Sequence, residues 1–471
     1  MNHPAAQTSA PKNIIIEHST LFNQILKQLT PISFGKRVAI ADEEKLKKQH
    51  FVIETIDEVL KKAKESNWSI GVKNGCIYFF NGAYWKPLDK GEIENFLGQS
   101  AERLGVDKYD AKYHLFRADL LKQLTSSAYF LKKSMLTNEV LINLLNGTFV
   151  ITPNKARLKD FDEKDFLTYQ LPFAYDIKAT CSKFIAFLDK VLPDPDQQNI
   201  LSEYIAYVFI KHRTLKLEKC MVLYGKGANG KSVFFEIVNA LLGPQNVSNF
   251  NLQSLTNDSG YHRANLGTKL LNYASEISSH MDSAYFKQLV SGEPVDARLP
   301  YGSPFTLEDY AKFIFNANEL PRDVEQNEAF FRRFMIIKFD VTIPVNDRDP
   351  EFAQKIIADE LPGVFNWVLS GLTRLLSQKK FTESVAVDNA LKEYKMNSDS
   401  VNLFLQDEFF EPSTTEETTL HGFYLKYNRY SIDSGYKPTS KRVFADRLRH
   451  LDFTITRKNI GNVVNAQKKV S

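Results

Sequence analysis

Cysteine is scarce in this chain. Only Cys76, Cys181 and Cys220 occur among its 471 residues, too far apart for a zinc pattern or a disulfide framework. That excludes a small, disulfide-held secreted fold and leads us to expect a reduced, cytoplasmic compartment. Long apolar runs are missing too. No stretch of about 18 apolar residues appears, and the opening MNHPAAQTSAPKN lacks the apolar core of a signal peptide, so no membrane partner is expected. An excess of one charge is nearly absent: 60 Lys and Arg against 56 Asp and Glu leave a net charge of +4, too small to argue for nucleic acid by itself. What is present, 43% hydrophobic and 25% charged residues, is the composition of a folded protein. The length predicts about three domains.

One stretch organises the rest. Tyr224 to Gly243 reads YGKGANGKSVFFEIVNALLG. Gly225, Lys226, Gly227, Ala228, Asn229, Gly230, Lys231 and Ser232 fill the phosphate-loop pattern G-x-x-x-x-G-K-[ST]. The apolar run Cys220–Tyr224 before it predicts a buried parallel strand. Val233, Ile237, Ala240 and Leu241 after it recur at helical spacing, and Gly243-Pro244 stops the helix. Glycines let successive N–H groups point at phosphates, and the helix adds its positive dipole end. Lys231 is placed to reach the β- and γ-phosphates and Ser232 to ligate Mg²⁺. The expected ligands are a nucleoside triphosphate and Mg²⁺.

Upstream, residues 1–45 predict a polar lead-in followed by helix. Residues 69–85 predict a small antiparallel meander with turns at Asn74-Gly75 and Asn81-Gly82. Its aromatic residues Tyr78, Phe79, Phe80, Tyr84 and Trp85 could stack on bases, but they read better as the core of the sheet. Helices are predicted at 91–104 and 117–131. The element Leu144–Val150 leads through 170–176 to an amphipathic helical stretch at 180–212, read as a collar beneath the nucleotide domain.

Downstream, the chemistry should recur at strand ends. Lys269–Glu276 (KLLNYASE) is a strand-like run ending in an acid. Glu276 there could polarise the attacking water or hold the Mg²⁺ water shell. Lys312–Ala317 is a second apolar strand, followed by Asn318-Glu319-Leu320-Pro321. Asn318 could hydrogen-bond the γ-phosphate, or simply form a turn. Phe330–Phe339 puts Arg332 and Arg333 before a third strand. An arginine can stabilise charge on the transferring phosphoryl group, even from a neighbouring subunit. A surface ion pair is the rival reading for either.

Beyond Phe339 the chain turns helical again, read as a lid and linker over 346–385. The last segment, 386–471, contains Ser440–Arg449 (SKRVFADRLR), a helical element, and then a strand pair near Phe453–Thr456. From Lys437 to Ser471 there are nine Lys or Arg against two Asp, so positive charge concentrates here. A winged-helix-like domain with Lys441 and Arg442 on DNA is the expectation; a solvated basic helix is the alternative.

The ordered set GKGANGKS, NYASE, FNANELP and FFRRF resembles superfamily 3 helicases, in particular the helicase part of phage, plasmid and poxvirus primase–helicases. YFFNGAYW, INLLNGTF and LPFAYD extend the resemblance upstream, so it covers about residues 70–345. It implies an α/β fold: a three-layer, AAA+-like P-loop NTPase core over 216–345, with an α+β helicase-associated domain over 46–175 and a collar over 176–215. By position, Lys231 and Ser232 match the phosphate-loop lysine and hydroxyl, Glu276 the second-motif acid and Asn318 the sensor. Arg333 matches the arginine finger, with Arg332 as the alternative. Ser275 stands where many such helicases carry a second acid, leaving the metal to Ser232 and Glu276. The segment 285–302 resembles the one that sends a hairpin into a central pore, with Lys287 and Arg298 toward the DNA backbone.

The resemblance thus implies an ATP-dependent replicative DNA helicase of a phage, plasmid or other mobile element. It would act on single-stranded and forked DNA as a homo-hexameric ring, in the host cytoplasm if phage-encoded. The region before residue 70 is too short for a polymerising domain, so a separate primase or polymerase is an expected partner. Two rivals stand beside it: an initiator that uses ATP only as an assembly switch, and a monomeric P-loop small-molecule kinase.

Overall fold

The structure is a computed structural model. It describes residues 18–38, 46–73, 76–128, 139–153, 155–275, 277, 281–299, 302–321 and 324–469. The chain divides into two units, residues 1–178 and 179–471.

In the first unit, helices His18–Gln28, Lys48–Glu65, Lys90–Leu104 and His114–Ser127 enclose an apolar core with the meander Ser69–Lys73, Cys76–Phe80 and Trp85–Pro87. Phe79, Phe80 and Trp85 are buried, as expected for core aromatics. The expected turn at Asn74-Gly75 lies outside the described residues. At the other turn, Asn81 Oδ1 accepts from the Ala83 and Tyr84 N–H groups while Gly82 takes a left-handed φ of +92°. A second antiparallel sheet, Val140–Leu144, Gly147–Thr152 and Lys155–Lys159, follows. Buried Asn143 donates to the carbonyls of Ala83 (2.9 Å) and Tyr169 (3.0 Å), tying this sheet to the Asn81-Gly82 turn and to the following segment. Asn146 and Tyr175 exchange two hydrogen bonds. The motifs INLLNGTF and LPFAYD are therefore two sides of one hydrogen-bonded element.

The second unit is built on a five-stranded parallel sheet. In chain order its strands are β1 (Cys220–Tyr224), β2 (Val247–Ser248), β3 (Leu271–Ala274), β4 (Lys312–Ala317) and β5 (Phe334–Lys338). Their spatial order is β5-β1-β4-β3-β2. β1, β4 and β5 are almost wholly buried, which is why they read as unbroken apolar runs. The helices that position the site are α1 (Lys231–Leu242), α2 (Ser283–Val290) and α3 (Val385–Asn397). Between α2 and β4, Val295–Ala297 and Phe305–Leu307 pair as an antiparallel hairpin.

Three expectations change. The collar is two helices, Ser182–Val191 and Pro195–Tyr207, because Pro193 and Pro195 interrupt the run and Asp194 caps the second helix. The helix Leu361–Gln378, expected as a lid, packs instead along Pro195–Tyr207. Gly371 allows that approach, since a Cβ there would fall 2.5 Å from the Ser202 carbonyl carbon. In addition α3, grouped from sequence with the C-terminal domain, packs on β5. Tyr394 donates to the Pro321 carbonyl there (3.0 Å).

The C-terminal module has helices Ser400–Asp407, Leu420–Asp433 and Lys441–His450 around one apolar cluster. A sheet in the order Thr418–Thr419, Gly461–Val464, Ile455–Lys458 covers it. Among the described residues no helix is long and apolar enough to cross a membrane.

The collar contact holds a fully buried carboxylate. Glu203 accepts from Arg374 Nε (2.8 Å), Thr382 Oγ1 (2.6 Å) and the Thr382 N–H (2.7 Å). Removing one partner of a buried pair is costly, although Arg374 is about a third exposed and can partly rehydrate. Glu203→Ala is expected to lower stability by roughly 3 kcal/mol, read as a lower urea midpoint; an unchanged midpoint would contradict this packing.

Candidate functional site

The loop Gly225–Gly230 leaves the carboxyl end of β1 and runs into α1, whose first residue is Lys231. Its neighbours in the sheet fix it on both sides. The Gly225 N–H donates to the Ala317 carbonyl at the end of β4 (3.0 Å). On the other side the Phe339 N–H, just past β5, donates to the Tyr224 carbonyl (2.7 Å). The loop curls through left-handed φ values at Gly227 (+106°), Ala228 (+51°) and Gly230 (+89°). Loops with such turns at a helix N-terminus are a recurrent kind of anion cradle. Ala228 is the strained member, and the Ile343 N–H holds its carbonyl (2.8 Å).

Lys231 is buried, and its Nζ donates to the Gly225 carbonyl (2.5 Å) and to Asn229 Oδ1 (3.2 Å). Burial pushes the pKa of its ammonium down. Among the described residues no carboxylate pairs with it. Asn229 is itself buried and donates through Nδ2 to the Phe339 carbonyl (2.8 Å). Asn229 thus braces the lysine and ties the loop to the end of β5. The sequence showed only its place in the pattern; its bracing role depends on β5 lying beside β1, which spacing does not reveal. Ser232 is exposed in the first turn of α1.

The other predicted residues fall into separate places. Asn318 directly follows β4, exposed, next to the residue whose carbonyl holds Gly225. With Tyr224, Lys226, Glu319 and Lys338 it lines a cavity of about 570 Å³ at this edge, closed on one side by α3. Glu276 lies outside the described residues; the strand leading to it, β3, ends at Ala274, in register with Phe315 of β4. Among the described residues no cluster of three His, Cys, Asp or Glu could hold a metal ion.

Arg332 and Arg333 sit at the opposite, amino-terminal edge, just before β5, and point different ways. The Arg333 guanidinium is buried in its own chain. It donates to the Lys287 carbonyl (3.1 Å), to Ser291 Oγ (2.7 Å) and to the Ala329 carbonyl. The expectation that Arg333 reaches outward meets this physical obstacle. Arg332 is the exposed one, ion-paired to Glu218 at 2.9 Å.

Lys287, expected to face DNA, is instead on α2 and held by both oxygens of Glu325 (2.8 and 3.1 Å). Arg298 is exposed just past the first strand of the hairpin, its Nε donating to the Gly302 carbonyl (3.0 Å). Lys441 and Arg442 are exposed in the first turn of Lys441–His450 and form no ion pair among the described residues. Cations at a helix N-terminus oppose the helix dipole, so folding alone does not favour them there.

Comparison with known proteins gives two family matches. The family described as D5 N terminal like matches residues 57–193, and a family of unknown function (DUF5906) matches residues 223–333, from the end of β1 through Arg333. A curated relative named "Putative helicase L207/L206", from Acanthamoeba polyphaga mimivirus, is 23% identical over 354 residues. The match covers 66% of this chain, which spans only 36% of that relative's length. Solved structures of the NrS-1 C terminal region align over 87% and 90% of this chain and 99% of theirs, with TM-scores of 0.47 and 0.49 and identities of 13% and 12%.

A Cβ on Gly225 would overlap the Asn229 amide and the Phe339 carbonyl. Gly225→Ala is therefore expected to unseat Asn229 and weaken binding of a fluorescent ATP analogue at least tenfold, since a buried acceptor loses its partner. Unchanged affinity would remove Asn229 from the site.

Proposed function

We propose that this chain is the ATP-hydrolysing motor of a replicative DNA helicase from a phage, plasmid or viral element. The observation that carries the reading is the placement of two groups at opposite edges of one sheet. The phosphate loop and Asn318 sit at the carboxyl edge, and an exposed arginine at the amino edge. About 16 Å of strand separates Arg332 from the loop of its own chain, beyond an arginine's reach. It could serve only another subunit's nucleotide. The strand order β5-β1-β4-β3-β2 supports an AAA+-like core, and a hexameric ring is the assembly that would use both edges.

In this reading the loop N–H groups and Lys231 hold the phosphates, Lys231 exchanging the Gly225 carbonyl and Asn229 for an anion. Asn318 contacts the γ-phosphate and Glu276 orients the attacking water. Ser232, with Glu276, would offer oxygen donors to Mg²⁺, a cation that does not require a cage of protein ligands. When bound, Mg²⁺ neutralises charge on the phosphates. Arg332, in place of Arg333, stabilises the transferring phosphoryl group across the interface. Arg298 on the hairpin contacts one DNA strand in the ring. The C-terminal module reads as a winged helix, with Lys441 and Arg442 on the phosphate backbone or base edges. The mimivirus relative's name and the D5-like match support a replication motor.

Lys231→Ala should abolish nucleotide binding, whereas Glu276→Gln should bind and not turn over, because the acid acts in the hydrolytic step. Arg332→Ala should bind ATP and lose about 10³–10⁵-fold in rate. Mixing it with Lys231→Ala subunits should restore hydrolysis, after subunit exchange is shown with two tags. Arg333→Ala should instead lower stability. Mixed assemblies that stay inactive would contradict an arginine supplied in trans.

A further inference from the structure

Arg332 is gripped at two points by two consecutive residues. Lys219 Nζ donates to its carbonyl (2.6 Å), and its guanidinium donates to Glu218 Oε2 (2.9 Å). The other carboxylate oxygen of Glu218 faces Lys216 Nζ at 3.2 Å. Glu218 has a φ of +52°, a left-handed conformation that a long side chain seldom adopts and that persists where the surroundings impose it. That unusual backbone directs the Glu218 carboxylate to the arginine immediately before β5. An exposed ion pair alone holds a side chain weakly; here the backbone of the arginine is pinned as well.

We infer that Glu218 is a positioning residue that keeps Arg332 aimed outward from the amino edge for a neighbouring subunit's nucleotide. The inference rests on the trans-arginine reading above. The sharing with Lys216 suits a handover. When phosphate oxygens approach, the guanidinium can leave for stronger charge-assisted bonds, and Glu218 keeps a cation. The neighbouring arginine is unsuited to the task, because Ser291 and two carbonyls already occupy it. Glu218 lies outside the phosphate-loop pattern, and nothing in its local sequence marks it.

The test is steady-state ATP hydrolysis by the full chain carrying Glu218→Ala or Glu218→Gln. Glu218→Ala is expected to lower kcat up to about 100-fold, the scale of misplacing a catalytic group by an ångström, with KM nearly unchanged. Glu218→Gln keeps an acceptor and should recover most of that loss. Mixing Glu218→Ala with Lys231→Ala subunits should raise turnover, because the second chain brings an intact Glu218–Arg332 pair to the first chain's phosphate loop. A general folding defect would not be rescued in that way, so an unrescued loss overturns the inference. Normal turnover in Glu218→Ala while Arg332→Ala is inactive would overturn it and spare the trans-arginine reading. Normal turnover in Arg332→Ala overturns both.

Discussion

The site depends on one buried ammonium. Lys231 is held inside the loop by a backbone carbonyl and a side-chain amide, and burial depresses its pKa. A buried cation without a counter-charge is costly, and the surrounding fold keeps it there. The end of β4 and the residue after β5 hold the start of the loop, Asn229 ties it to the Phe339 carbonyl, and left-handed φ values at Gly227, Ala228 and Gly230 curl it. Each of these features would be answered by one multiply charged anion.

The parallel sheet then gives direction. All five strands end at the same edge, so the loop, Asn318 and the exit from β3 share it, while the turn before β5 places Arg332 at the far edge. In the proposed motor, the loop edge of one sheet would meet the arginine edge of a second copy. This polarity sets the proposed motor apart from a monomeric kinase, whose catalytic groups must converge on one edge. The hairpin Val295–Ala297/Phe305–Leu307 and the helix Lys441–His450 add exposed cations on other elements.

Much of this was legible in the sequence. The phosphate loop reads directly because its glycines answer local backbone needs, and β1, β4 and β5 read as strands because both their faces are buried. The meander in the first unit announced itself through its turn residues. Other features depended on distant packing. Arg332 and Arg333 differ only in which way a one-turn helix directs them, and the pattern FFRRF does not encode that. Lys287 reads from its segment as a DNA contact, but Glu325, from a loop 38 residues away, holds it. The role of Asn229 requires β5 as a neighbour, and α3 packs on β5, where Tyr394 finds the Pro321 carbonyl. Strand neighbours and tertiary partners are the information that single-chain periodicity lacks.

The central claim is that ATP turnover at this loop separates DNA strands. The most direct measurement is strand displacement on a forked duplex with a single-stranded arm, followed with and without ATP. We expect release of the displaced strand only with ATP and Mg²⁺, and none with the Lys231→Ala chain under the same conditions. A chain that binds the fork and hydrolyses ATP normally yet never releases a strand would contradict a helicase and point to an ATP-switched initiator.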